Sequence, residues 1–252
     1  KENLIKLINS RINDKVQYAV EKCYEQMCSE EPFGVYDYGT VEDVKEIDGA
    51  ALFRHYREML ESYPVKIFIS GSLEEDRIKA AVERFASIKR SGIKEIKKPV
   101  VQKEVSEVKR ITDKLDVNQA KLSLGFRTNI TADSEEYYKL LVYNGILGGG
   151  IHSKLFRNVR ENASLAYYIF SRLEKFKGLM VISSGIDADK REKAEEIILR
   201  QVKEISEGNI SDYEFDSTLK SIETGINSLN DSQLQVVDFY LSQSITGGSD
   251  TL

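Results

Sequence analysis

Two side chains in this sequence, Arg160 and Tyr167, stand seven residues apart in the run Arg160-Glu-Asn-Ala-Ser-Leu-Ala-Tyr167. Their types suit them to hold a peptide. An arginine offers a rigid fork of donors to a peptide carbonyl or carboxylate. A tyrosine hydroxyl can stabilise the oxyanion of a tetrahedral intermediate. On spacing alone the plainer reading carries more weight: Arg160 as a solvent-facing helix charge, Tyr167 as a sheet aromatic. The run that leads to them begins at Gly148-Gly149-Gly150, continues into an amphipathic helix and ends in an apolar, aromatic strand. The pair therefore sits where a helix hands over to a strand.

The other reactive residue types are sparse or badly spaced. There are two histidines. His55 lies in His-Tyr-Arg-Glu-Met, an inverted zinc motif His-x-x-Glu-His with Met59 in the place of the second histidine. Zinc needs three or more protein ligands, so a surface helix histidine is expected. His152 follows the glycines with no second histidine beside it and reads as a loop or helix N-terminal residue. The Gly148–Gly150 turn is a weak phosphate cradle: Ser153-Lys154 has the wrong order for a P-loop, and a helix rather than a strand precedes the glycines. A helix C-cap using positive-φ freedom and tight backbone packing is the competing expectation. No Gly-x-Ser-x-Gly nucleophile elbow is present. Cys23 and Cys28 lie five apart in one expected helix and read as reduced, buried structural thiols.

These residues must be positioned by a chain of 252 residues with net charge −5, in which acids and lysines are interspersed. That is room for one large or two medium domains. The mild negative charge argues against a nucleic-acid footprint, and no apolar run reaches the roughly 20 residues of a membrane span. Apolar residues at Leu4, Ile8, Ile12, Val16, Val20, Cys23 and Met27 predict one helix over 4–29. Helices are also expected over 40–46, 48–63, 74–88, 133–148 (from a capping box of Asp133 and Glu136), 187–207 and from Ser211/Glu214 onward. Strands are expected over 65–71, 120–126, 165–173 and 178–186. No closing element is read in the Gly-Gly-Ser-Asp tail. Strands adjacent in sequence beside runs of helices imply an α+β fold, its sheets mainly antiparallel and covered by helices on one face. The domain expectation is 1–90, a Lys/Glu-rich linker 91–107, and 108–252. Lys1 enters helical periodicity without a cap or initiator Met, so a piece of a longer chain is expected.

The run Leu147-Gly-Gly-Gly-Ile-His-Ser-Lys-Leu-Phe-Arg-Asn-Val-Arg-Glu-Asn-Ala-Ser-Leu-Ala-Tyr167 resembles the pitrilysin/insulysin and mitochondrial processing peptidase family, the peptidases with an inverted zinc motif. Glu31-Pro-Phe-Gly, Tyr38-Gly-Thr-Val-Glu-Asp43 and Phe68-Ile-Ser-Gly71 agree more weakly. The resemblance implies that 1–90 is the later half of one processing-peptidase-like domain and 108–252 a second, truncated at its end. It places the family's zinc motif upstream of Lys1. No metal or other cofactor is thus expected in this chain, and zinc is expected in the parent chain or its partner. It makes Arg160 and Tyr167 the substrate-binding pair, following the loop Gly148, Gly149 and Gly150. Lys1-Glu-Asn-Leu-Ile-Lys and Asn13-Asp-Lys-Val-Gln-Tyr-Ala resemble bacterial members that work as paired subunits. The implied partners are an unfolded peptide and, in a homo- or heterodimer, a zinc-bearing homologue. A bacterial cytoplasmic location, and no activity of this piece alone, are also implied. The alternative is a structural or assembly domain of the same fold with no role in proteolysis.

Overall fold

The computed structural model describes residues 1–72, 74–87, 89–97 and 104–252. In chain order the main elements are α1 (Glu2–Ser10), α2 (Lys15–Met27), α3 (Val41–Glu46), α4 (Gly49–Ser62), α5 (Glu75–Ala86), β1 (Ala120–Arg127), α6 (Tyr137–Gly148), β2 (Ala166–Glu174), β3 (Leu179–Ile186), α7 (Arg191–Ser206), α8 (Asp212–Leu229) and α9 (Gln233–Thr246). The chain divides into two compact units.

The single helix expected over 4–29 is broken at Asp14, whose carboxylate accepts from the Val16 and Gln17 N–H groups at 3.1 and 3.0 Å. Aspartate is a poor interior residue and a strong N-cap, so it starts α2 afresh although the apolar spacing runs straight through.

One unit comprises Lys6–Gly39 and Val100–Thr224. Its sheet is antiparallel throughout, in the order β1-β3-β2. The α+β class with an antiparallel sheet is therefore what forms. The alternation of β1 sorts its side chains to two faces. Leu122, Leu124 and Phe126 pack on the core, which joins Ile146 and Leu147 of α6, Leu155 and Val159, Ile169, Met180 and Ile182, and Ile198 and Ile205 of α7. Every residue of β3 is buried, as befits a central strand. The opposite face of β1 carries α2, a helix beyond the α6–α7 layer that covers the core face. A Cβ on Gly125 would lie 2.0 Å from Met27 Sδ and 2.9 Å from Cys23 Sγ, so these α2 side chains pack directly over the glycine and would have to shift to admit a larger residue.

Where α2 ends, three charges are buried together. The Arg127 guanidinium donates to Glu31 Oε1 and to the Met27 carbonyl, both at 2.6 Å. Lys177, only 2% exposed and in the turn between β2 and β3, pairs with the other oxygen of Glu31. Desolvation pushes the Glu31 carboxyl up, but the hydrogen bonds and charges of Lys177 and Arg127 outweigh it and hold the carboxyl below its ordinary value.

The other unit comprises Lys1–Ile5, Thr40–Pro99 and Gly225–Leu252 and is helical. Thr40 and Asp43 form a reciprocal capping box at the start of α3, and Asp48 caps α4 through the Ala51 N–H at 2.6 Å. The strand expected over 65–71 does not form: residues 64–70 belong to no ladder, and Val65, Ile67 and Ile69 are exposed. A strand is stable only when a partner takes its backbone groups. Helix α9 is an element that the sequence reading does not contain. It closes on Gly247, left-handed at φ 78°, a glycine that reads in sequence as part of a tail. Of the expected linker 91–107, residues 98–103 lie outside the described residues. Before them, the Ser91 and Lys94 N–H groups donate to the carbonyls of Glu61 and Ser62 at 3.0 and 2.7 Å. Among the described residues no helix is long and apolar enough to cross a membrane.

Candidate functional site

The route to Arg160 begins where α6 meets the sheet. Gly148 packs on β2 so closely that a Cβ would stand 2.5 Å from the Ser171 backbone nitrogen and 2.6 Å from its Oγ. A Cβ on Gly149 would meet Gly145 Cα at 2.7 Å, and one on Gly150 would meet His152 Cε1 at 3.2 Å. None of the three has a positive φ. The expectation of left-handed freedom at these glycines is thus corrected. Close packing, strongest at Gly148, is what calls for glycine here.

The segment that follows is anchored on its inner side by polar pairs. Lys154 Nζ lies 3.1 Å from Glu214 Oε1, both buried. His152 lies in the turn just before the helical segment, as expected, yet it is only 8% exposed and sets its Nε2 3.1 Å from Thr218 Oγ1. Asn158 donates to Gln201 at 2.7 Å, and Leu155 and Val159 are fully buried. Glu214 also completes the expected capping box of α8, accepting from the Ser211 N–H and hydroxyl at 2.9 Å. The box expected from Asp133 does not form. Glu136 instead takes a hydrogen bond from the Ser134 hydroxyl at 2.9 Å, and α6 starts at Tyr137.

Arg160 lies in the last turn of a π-helical segment, Phe156–Asn162, where a simple amphipathic helix is expected from the sequence. Its side chain is exposed, and its guanidinium carbon lies 4.8 Å from the centroid of the Phe156 ring. Stacking on an aromatic face holds the guanidinium while leaving its N–H groups to other acceptors. Among the described residues Arg160 has no carboxylate partner. The chain then leaves the helix through Ser164, a non-glycine residue at φ 52°.

Tyr167 stands on a second irregularity. Ala166 pairs with Ile186 and Tyr168 with Gly185, so Tyr167 is the extra residue of a β-bulge. It is 52% exposed, and its hydroxyl donates to Asp187 Oδ1 at 2.8 Å. Asp187 Oδ2 in turn accepts from Lys190 Nζ at 2.7 Å. The hydrogen bond to Asp187 and its charge raise the Tyr167 phenol above its ordinary value, so it keeps its proton through the neutral range. Lys190 first, then Tyr167, holds the Asp187 carboxyl below its ordinary value.

A π-turn, a left-handed serine and a bulge thus fall within Phe156–Tyr167. Such departures carry a local cost and collect where a side chain must be aimed. Sequence reasoning misses Phe156, Asp187 and Lys190. Asp187 reads as a helix start, and nothing in its neighbours distinguishes an aspartate that caps from one that turns aside to a tyrosine.

The residues present do not fit zinc. The Glu58 carboxylate is taken by Lys94, and the His55 ring lies 6.5 Å from the Tyr63 ring. Among the described residues no group of three or more His, Cys, Asp or Glu is placed to hold a metal ion.

Comparison with known proteins adds a family. The domain description "Peptidase M16 inactive domain" matches residues 46–222. The chain is 31% identical over 244 residues to the probable inactive metalloprotease YmfF of Bacillus subtilis, which covers 97% of this chain and 57% of that protein. It is 27% identical over 182 residues to the uncharacterized zinc protease YmxG of the same species, covering 71% of this chain and 43% of that one. A crystal structure of a conserved protein from Enterococcus faecalis matches with a TM-score of 0.86 at 28% identity, over 100% of this chain and 59% of that one. The chain therefore spans about half the length of these relatives, from 43% to 59%.

Proposed function

The chain belongs to the peptidase M16 family, through that family's inactive domain, and we propose that it is the non-catalytic, substrate-gripping part of a peptide-cleaving zinc peptidase. In this reading Arg160 and Tyr167 hold an unfolded peptide. Zinc, held by another part of the parent protein or by a zinc-bearing partner subunit, activates the attacking water. The observation that carries the reading is the placing of the pair: two exposed side chains, one on a π-turn and one on a β-bulge, in a segment anchored to the core through Lys154, Leu155, Asn158 and Val159. In the intact assembly, Arg160→Ala or Tyr167→Phe is expected to lower peptide turnover about 10- to 1000-fold. Full activity in both variants refutes the reading.

A second reading, an assembly domain with no part in proteolysis, draws on α8, where Phe215 and Leu219 are 43% and 42% exposed. An apolar stripe of this kind suits an interface. That reading expects both site variants to retain turnover while Leu219→Glu disrupts a dimer, measured by analytical ultracentrifugation.

A further inference from the structure

Beside the start of α2 the surface opens into a hollow of about 480 Å³, lined by Lys15, Asp116, Val117, Asn118, Gln119 and Lys121. Lys15 is the first residue of α2, and residues 116–119 lead into β1, where Lys121 stands. All six belong to the unit that carries Arg160 and Tyr167. The lining holds two ammonium groups and one carboxylate. Both lysines are half-buried, and among the described residues neither has an ion-pair partner. Lys15 donates to the Ile12 carbonyl, and Lys121 to the Gln119 side chain at 3.2 Å. An ammonium has three donors and no acceptor, so each lysine keeps donors for a further group. Half-burial withdraws water from these charges without supplying a matching counter-charge, which favours an anion in the hollow.

Strand register ties the hollow to β2. Lys121 faces Gly185 across β1 and β3, and Gly185 faces Tyr168 across β3 and β2. A Cβ on Gly185 would meet the Tyr168 ring at 2.5 Å and Lys121 Nζ at 3.4 Å, so the glycine leaves the space in which these two side chains meet. The ammonium stands 5.4 Å from the centre of that ring, which steadies it without consuming its donors. Tyr167 is the next residue along the chain. Two strand spacings, about 10 Å, separate the backbones of Lys121 and Tyr168, the reach of about three residues of extended peptide. An open hollow holds a small free anion poorly, because a tight small-molecule site encloses most of its ligand. A carboxylate carried on a peptide already held nearby arrives at high effective concentration and needs no such enclosure.

We propose that Lys15 and Lys121 form a carboxylate-binding subsite, which takes a glutamate or aspartate side chain of the bound peptide about three or four residues from the one held at Tyr167. This rests on the peptide-gripping reading above and adds a substrate class to it: unfolded peptides that carry acidic residues.

The test uses this chain and two fluorescein-labelled peptides without a stable fold, one with glutamate at every third position and its twin with glutamine in those places. Binding is read by anisotropy. The glutamate peptide is expected to bind about three- to tenfold tighter, the worth of one or two partly exposed ion pairs, and the preference should shrink as salt is added. Lys15→Gln and Lys121→Gln should each lower the preference and together abolish it, leaving the glutamine twin bound as before. Lys220→Gln, at an exposed lysine on α8, should not change it. Equal binding of the twins by the wild-type chain, a preference that survives the double variant, or one lost equally in Lys220→Gln overturns the proposal. Free N-acetylglutamate that erases the preference at micromolar concentration also overturns it, by showing a small-molecule site. Arg160→Ala and Tyr167→Phe should weaken both peptides alike. If they leave both bound as in the wild type, the grip falls and the subsite loses the peptide assigned to it. If they weaken both while the twins bind equally to the wild type, the subsite falls and the grip stands.

Discussion

Replacing Gly148 by alanine tests whether close packing, and not backbone freedom, is what the glycine run supplies. The new Cβ would stand 2.5 Å from a main-chain nitrogen of β2, nearly 1 Å inside ordinary contact. That nitrogen cannot retreat cheaply, because β2 is paired to β3, which is buried along its whole length. Overpacking of a core costs about 1–3 kcal/mol, and a main-chain neighbour puts this site at the upper end, about 3 kcal/mol. Alanine in place of glycine at a helical residue returns about 1 kcal/mol. The net expectation is about 2 kcal/mol, or a fall of about 4–8 °C in Tm for a chain of this size. Gly150→Ala serves as the control. Its Cβ would meet only the His152 ring, with Cε1 nearest at 3.2 Å, and a change within about 0.5 kcal/mol is expected. Thermal unfolding followed by circular dichroism reads both. Equal Tm for Gly148→Ala and wild type, or a larger loss at Gly150, would refute the packing argument. Because Ser171 and Tyr167 share β2, Gly148→Ala should also weaken peptide binding more than its stability loss accounts for.

Glu31→Gln leaves Arg127 and Lys177 buried side by side without their shared anion, and should destabilise by about 3–5 kcal/mol, measured by urea unfolding. The sign with pH follows from the depressed Glu31 carboxyl. Its contribution is present above the ordinary value of 4.5 and is lost as pH falls through the lower native one. The gap between wild type and Glu31→Gln should therefore narrow across that acid range and stay flat from pH 6 to 8. A gap that widens on acidification contradicts the assignment. Burial pushes the Cys23 thiol up to about 11 and, as the largest influence on it, raises that of Cys28 as well. Both should resist iodoacetamide in the native chain near pH 7 and react once unfolded, with mass spectrometry counting the adducts. Rapid native labelling of either would place it outside the α2–sheet packing.

Much of the secondary structure is legible in the sequence because its causes are local. Thr40 with Asp43, Asp48, and Ser211 with Glu214 start helices through side chains that reach no further than three residues. The alternation at 120–126 and the two apolar runs around Lys175–Gly178 give the three strands to within two residues. Where local signals compete, reading by period fails. Asp14 breaks an apolar repeat that looks continuous. Helix α9 escapes such a reading because its only sharp signal, Gly247, also fits a tail. The run 65–71 has the composition of a strand, but composition cannot supply the partner that a ladder requires.

The residue types of the site are also legible. Arg160 and Tyr167 can be picked out by their chemistry and by the motif around them, and both lie exposed at a helix–strand junction. Their setting is decided by tertiary structure. The π-turn depends on Lys154, His152 and Asn158 being held by Glu214, Thr218 and Gln201, which follow them by 43 to 66 residues. The bulge at Tyr167 depends on the register against β3, and its hydroxyl is oriented by an aspartate 20 residues further on. A sequence states which donors and acceptors exist. Which of them meet is settled by chain reversal and burial, because a hydrogen bond forms only where folding has brought its two ends within about 3 Å.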